Sequence, residues 1–222
     1  KPLNPRVSRE RAAQLFFETF NVKGYYSGVQ AVMSLFSVGQ TTGLVWDAGD
    51  GISFTVPIYE GYALPHAIIR SQISGQGLTK HLYDMVSNAK PTGPIKLDDI
   101  QKIKETDCRV VLDYQAELQK IEQRRVPKQT FNLSDGVTVP LGAELFQCPE
   151  ILFSPSIAGL QGEGIHQQIL SSLERCDGDV KKEMYSYILL TGGTSMFRGL
   201  PERTEKEIVA IATAPSLKIK VV

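Results

Sequence analysis

One stretch constrains this chain more than any other: Leu44–Tyr62, LVWDAGDGISFTVPIYEGY. Leu44-Val45-Trp46 predicts a buried strand and Ile52-Ser53-Phe54-Thr55-Val56 a second. Between them, Asp47-Ala48-Gly49-Asp50-Gly51 has the Asp/Gly composition of a hairpin loop. Such a loop can be a plain turn. It can also hold phosphate, because glycine lets the backbone approach a ligand and consecutive N–H groups in a turn cradle oxygen atoms. Asp47 and Asp50 would repel phosphate directly. They suit a phosphate loop only with a hydrated cation between, or with a ribose hydroxyl as partner.

A second glycine loop lies far downstream. The strand Ile188-Leu189-Leu190 feeds Thr191-Gly192-Gly193-Thr194-Ser195-Met196-Phe197, and a helix follows over Pro201–Ala212 with Pro201 in its first turn. Glycine loops leading into helices combine free N–H groups with the helix dipole. Neither loop has the form G-x-x-x-x-G-K-S/T, and no G-x-G-x-x-G follows a strand, so the P-loop and Rossmann readings are poor.

The rest of the chain alternates strands and helices, which indicates an α/β class with mixed sheets. Ser8 is expected to cap a helix with Ala12, Leu15, Phe16, Thr19 and Phe20 on one stripe. Asn21–Tyr26 reads as a turn or short strand. A second helix is expected to carry Val29, Val32, Met33 and Phe36 on one face and to stop at Gly39. Gln30 starts that helix and, by itself, is an ordinary surface or half-buried amide.

Ala67–Ser74 predicts a strand that Gly75 breaks. Leu78, Leu82, Met85 and Val86 predict a third helix, and a fourth begins at Asp98 or Asp99. Lys104 and Glu105 on that fourth helix read as a solvated face. Val110-Val111-Leu112 is β-like, Asp113–Arg125 is a charged helix ending in Arg124-Arg125, and Phe131–Pro140 is a hairpin around Ser134-Asp135-Gly136. Cys148–Gly164 reads as loop, His166–Cys176 as a helix, Asp177–Glu183 as a charged turn and Leu217–Val222 as a closing strand.

Composition sets the remaining limits. With 42% apolar and 22% charged residues in 222, a folded core is expected. The net charge is zero, which removes the electrostatic case for direct nucleic-acid binding or an acidic membrane surface. The opening residue Lys1 is read as marking a segment of a longer protein. Cys108, Cys148 and Cys176 are odd in number, widely separated and without zinc spacing, and are expected to be reduced, buried thiols.

The sequence resembles actin. DAGDG followed by TVPIYEGYALPHAI carries the likeness, as does LTGGTSMFRGLPERTEKEI. LNPRVSRERAAQLFFETFNV, VQAVMSLFSVGQTTGLV and FQCPEILFSPSIAG extend it in the same order over almost the whole chain, most weakly at Asn88–Leu97. Sugar kinases and heat-shock ATPase domains share the fold but lack VPIYEGYALPHAI. The resemblance implies a partial actin-type fold of the ribonuclease H-like/actin-like ATPase kind, mainly subdomains 3 and 4. Residues 1–30 would end subdomain 1, 31–73 begin subdomain 3, 74–160 form subdomain 4 and 161–222 complete subdomain 3. A segment cut this way is not expected to fold stably alone.

The resemblance also implies ATP or ADP with Mg²⁺ or Ca²⁺ in a cleft. Gly49, Asp50 and Gly51 match the loop on the β- and γ-phosphates, and Asp47 the carboxylate that holds the cation through water. Gln30 matches the glutamine that orients the attacking water. Gly75 matches a glycine by the ribose, and Lys104 and Glu105 the pair beside adenine and ribose. Gly192, Gly193, Thr194, Met196 and Phe197 match the loop under the α-phosphate and base.

There are departures from the family pattern. Phe54 replaces a water-organising histidine, Ala48 a γ-phosphate-sensing serine, and Gln76-Gly77 an Arg-Asp pair. Phenylalanine offers no hydrogen bond and accepts no proton. The expected function is a divergent actin: an ATP-binding subunit of a cytoplasmic cytoskeletal filament, meeting other actin-type subunits and actin-binding proteins, with slow hydrolysis. The alternative is an actin-related scaffold or capping subunit of a larger assembly. A small-molecule kinase is the poorest reading.

Overall fold

The computed structural model describes residues 1–123, 128–212 and 219–222 of the chain. Its centre is the expected hairpin. Strand β1 (Gly43–Ala48) runs antiparallel to β2 (Ser53–Tyr59), with Asp47 opposite Phe54 and Ala48 opposite Ser53. Short strands β3 (Tyr62–Ala63) and β4 (Ile69–Ser71) pair antiparallel with β2. Hairpin strands β5 (Gln129–Asn132) and β6 (Thr138–Leu141) form a separate two-stranded sheet. Strand β7 (Ile188–Thr191) lies parallel to β1, with Leu44 beside Ile188 and Asp47 beside Thr191.

Every residue of β1 is buried, because the main sheet is covered on both faces. One face carries Val45, Val56, Ile58 and Leu189. The first helix, α1 (Arg6–Gln14), is not its cover: it continues as a π-helical turn, Leu15–Thr19, and neither holds a buried residue. The cover is α2 (Gln30–Ser37), through Ala31, Val32 and Leu35. The opposite face carries Leu44, Trp46, Ile188 and Leu190. It packs on α7 (Ile165–Glu174) and α8 (Gly178–Tyr185), which follow four helices described next.

Helix α3 (Gly75–Asn88) buries Leu78, Leu82 and Val86 as its period predicts, and packs on α4 (Leu97–Thr106). Helix α5 (Tyr114–Glu122) is capped by Asp113, whose carboxylate accepts from the Ala116 N–H at 3.0 Å. Helix α6 (Glu144–Glu150) packs against α3. The last helix, α9 (Leu200–Ile211), is pinned by a buried arginine. Arg203 donates to Glu150 at 3.0 Å, to Glu207 at 2.6 Å and to the Val111 carbonyl at 2.7 Å. A charge this deep needs such a full set of acceptors.

Several expectations are corrected. The first helix starts at Arg6, so Ser8 lies inside it and caps nothing, and Leu15, Phe16 and Phe20 are exposed. On α2 the buried residues are Ala31, Val32 and Leu35, while Met33 and Phe36 are exposed. Asn21–Tyr26 forms no strand, and the strand expected over Ala67–Ser74 is limited to β4. Val110–Leu112 is not a strand either, although the Val110 N–H donates to Arg198 O at 2.9 Å.

Asp177–Glu183 is not a turn: Asp177 precedes helix α8, which runs on to bury Met184 and Tyr185. Part of the expected loop Cys148–Gly164 belongs to α6, which contains Pro149. Proline cannot donate to the carbonyl four residues back. That carbonyl, Leu145 O, instead accepts from the Arg109 N–H at 3.0 Å. The Arg124-Arg125 pair and the first two residues of the expected strand Leu217–Val222 lie outside the described residues. At its end, the Leu190 N–H donates to Val222 O at 2.8 Å, alongside β7. All three cysteines are buried and free. Burial and a hydrogen bond to Cys148 push the Cys108 thiol far up, with the hydrogen bond the larger cause.

Candidate nucleotide cleft

The two glycine loops leave adjacent parallel strands at the same level, because Asp47 on β1 is paired with Thr191 on β7. Loops at the carboxyl ends of neighbouring parallel strands open toward a common crevice. Their contact is close. Gly192 has φ +94°, and a Cβ there would sit 2.3 Å from the Ala48 carbonyl oxygen. Only glycine fits this crossing. The Thr194 hydroxyl, 6% exposed, donates to the Gly49 carbonyl at 3.1 Å.

The turn after β1 closes on itself through the Gly49 N–H, which donates to Ile52 O at 3.1 Å. Among the described residues, the Asp50 and Gly51 N–H groups make no such bond. A third element docks on the same turn. At the start of α3 the Gly75 N–H donates to Gly49 O at 3.0 Å, and the Gln76 N–H to Asp50 O at 2.8 Å. Gly75 is confined as well, since a Cβ there would lie 3.0 Å from Thr194 Oγ1 and 3.2 Å from Asp50 Oδ1.

These contacts enclose a cavity of about 410 Å³ lined by Asp50, Gly75, Lys104, Glu105, Gly193, Thr194, Met196 and Phe197, together with Gln101. Phe197 is buried while the Met196 side chain is exposed at the mouth. Lys104 is not the solvated residue its charged neighbours suggest. It is 6% exposed and donates to Gly75 O at 3.1 Å and to Thr79 Oγ1 at 2.9 Å. Glu105 is exposed and accepts from Gln101 Nε2 at 2.9 Å. Gln101 and Thr79 were not singled out from sequence. Gln101 stands four residues before Glu105 on one helix face, a spacing that could have marked it.

Asp47 and Gln30 do not line this cavity, but they meet each other. Asp47 is 7% exposed and accepts from Gln30 Nε2 at 3.3 Å. Burial holds its carboxyl above the ordinary range. Phe54 is directly opposite Asp47 on β2, on the same face of the sheet, and Arg70 is opposite Phe54 on β4. Gly51 lines a neighbouring cavity of about 680 Å³ with Arg70, Gln76 and Lys80, and Asp50 and Gln101 border both cavities.

The arrangement suits a polar, elongated ligand with one flat apolar end. Phe197 and Met196 offer an apolar wall, Lys104 and Glu105 a donor and an acceptor, and Asp50 and Gly51 free N–H groups. Among the described residues no cluster of three or more His, Cys, Asp or Glu could ligate a bare metal ion. A single carboxylate beside an amide instead suits a cation that keeps its water shell.

A family model described as Actin matches residues 1–101 and again 96–222, which together span the chain. The mixed α/β architecture agrees with an actin-type fold. On the length of that match and the convergence of both glycine loops on one cavity, this chain belongs to the actin family.

Proposed function

We propose that this chain forms one side of the ATP cleft of a divergent actin, a cytoskeletal filament subunit in which hydrolysis is slow. One observation carries the reading: the turn after β1 and the loop after β7 are joined by the Thr194–Gly49 hydrogen bond beside a single cavity. Actins in general bind a nucleotide with a divalent cation, associate with actin-type subunits and are cytoplasmic. No helix among the described residues is long and apolar enough to cross a membrane. Residues 1–30 are proposed as the end of subdomain 1, 31–73 and 161–222 as the two parts of subdomain 3, and 74–160 as subdomain 4 between them.

In this reading the Asp50 and Gly51 N–H groups hold the β- and γ-phosphates, and the Gly192–Thr194 loop passes under the α-phosphate. Lys104 and Glu105 orient the ribose and base edge, Gly75 admits the ribose, and Met196 and Phe197 cover the base. Asp47 would hold a hydrated divalent cation, and such an ion would supply charge neutralisation at the phosphates. Gln30 orients the attacking water by its amide. Phe54, opposite Asp47, supplies neither a donor nor a proton acceptor. Loss of one water-positioning group slows such a reaction by about 10²-fold.

Phe54 also favours a second reading, a scaffold or capping subunit that retains ATP. Pelleting of the full-length protein with ATP, followed by extraction of bound nucleotide, separates the two. Filaments holding ADP support the filament subunit, and monomers holding unhydrolysed ATP support the scaffold. A full-length protein that binds neither nucleotide overturns both.

A further inference from the structure

We infer that Lys104 is a positioning residue for the phosphate turn and acts through the Gly75–Gln76 peptide unit, an inference that rests on the nucleotide reading above. Lys104 is buried, and among the described residues no carboxylate pairs with it. Its ammonium is satisfied instead by Gly75 O at 3.1 Å and Thr79 Oγ1 at 2.9 Å, and the Thr79 hydroxyl in turn donates to Gly75 O at 3.0 Å. The Gly75 carbonyl and the Gln76 N–H are the two ends of one planar amide. The Gln76 end donates to Asp50 O at 2.8 Å.

A cation on the oxygen of an amide draws electron density toward that oxygen and makes the N–H a stronger donor. The Lys104 charge therefore strengthens the bond that holds the Asp50 carbonyl. This fixes the direction in which the Gly51 N–H points, because the Asp50 carbonyl and the Gly51 N–H share one planar amide. The preceding peptide ties in the neighbouring residue, since the Gly75 N–H donates to Gly49 O, which also accepts from Thr194. Helix α4, α3, the turn after β1 and the loop after β7 are thus linked behind the cavity. Lys104 lies at one end of this chain of bonds and the phosphate turn at the other.

Thr79 provides the test. It is 4% exposed and lines the neighbouring 680 Å³ cavity rather than the 410 Å³ one, but its hydroxyl hydrogen is committed to Gly75 O and its oxygen accepts from Lys104, so it has no donor to offer a phosphate. In the full-length protein, binding of ATP and of AMP is compared for wild type, Thr79→Val and Thr79→Ser. AMP lacks the phosphates that the turn would hold. Thr79→Val is expected to weaken ATP about tenfold and AMP less than about twofold, with Thr79→Ser close to wild type.

Lys104→Met and Lys104→Arg give a second contrast should Thr79→Val not fold, with the AMP arm reading whatever Lys104 contributes at the ribose and base. The methionine variant is expected to lower the ratio of ATP to AMP affinity about tenfold, and the arginine variant to recover part of it. Equal losses for ATP and AMP, or no loss for ATP, overturn the inference. Wild type that binds neither nucleotide overturns the nucleotide reading itself.

Discussion

The two ends of the candidate cleft are built to different standards. At the end lined by Lys104, Gly75 and Thr194, polar groups are buried and bonded to one another, and the start of α3 and the Thr194 hydroxyl both dock on the turn at Gly49 and Asp50. At the other end Asp47 and Gln30 share a single bond of 3.3 Å, and the residue opposite Asp47 is an aromatic ring packed in a small apolar cluster. A densely bonded end holds its geometry before a ligand arrives, which favours binding. The sparsely bonded end has little with which to orient a water molecule. Under the proposed nucleotide reading, the contrast separates retention from turnover and provides better for the first.

The largest expected effect breaks the dense end. Gly192→Ala places a methyl 2.3 Å from a backbone oxygen at a φ that side chains avoid, and is expected to cost about 3 kcal/mol or more. Gly193→Ala meets nothing within 4 Å and is expected to stay within about 0.5 kcal/mol of wild type. Urea unfolding of the full-length protein measures both. Comparable losses for the two alanines would remove the case that this crossing is tight.

The next change rebuilds the sparse end. Phe54→His restores a hydrogen-bonding ring opposite Asp47. It is expected to raise the single-turnover rate of ATP cleavage by about 10²-fold with little change in ATP affinity. An unchanged rate in a folded variant would mean that the ring at this position does not limit hydrolysis.

The smallest effect concerns Asp47. Burial lifts its folded-state pKa, so the charged form destabilises the fold, and stability is gained as pH falls through the raised value toward the ordinary one. Without divalent cation, Asp47→Asn should therefore be the more stable form at pH 7, with the gap closing on acidification. Adding Mg²⁺ and ATP should reverse the order by stabilising wild type more. Thermal melts across pH with and without Mg²⁺ read both signs, and a gap that widens toward acid contradicts the assignment.

How much of this was legible varies with what each residue faces. The hairpin and α3 were readable because their apolar residues repeat with the period of the element and fill a core. Helix α8 was not, because its charged residues outnumber its buried ones and local pattern then resembles a turn. Helix α6 was obscured by Pro149, whose missing hydrogen bond is made good by Arg109 from a distant part of the chain. The burial of Lys104 was hidden for the same kind of reason: its acceptors belong to α3, and a Lys-Glu pair looks solvated when its neighbours in space are unknown.

The amino-acid sequence by itself determined the family, the two glycine loops and the residue types on which the proposed nucleotide reading draws, since these depend on local backbone freedom and on side-chain chemistry. Tertiary structure alone decided that Thr194 grips Gly49, that Gly192 crosses Ala48 and that Lys104 is buried behind the turn. Those contacts join residues far apart in the chain. They exist only because β1 and β7 lie side by side in parallel and bring both loops to the same end of the sheet.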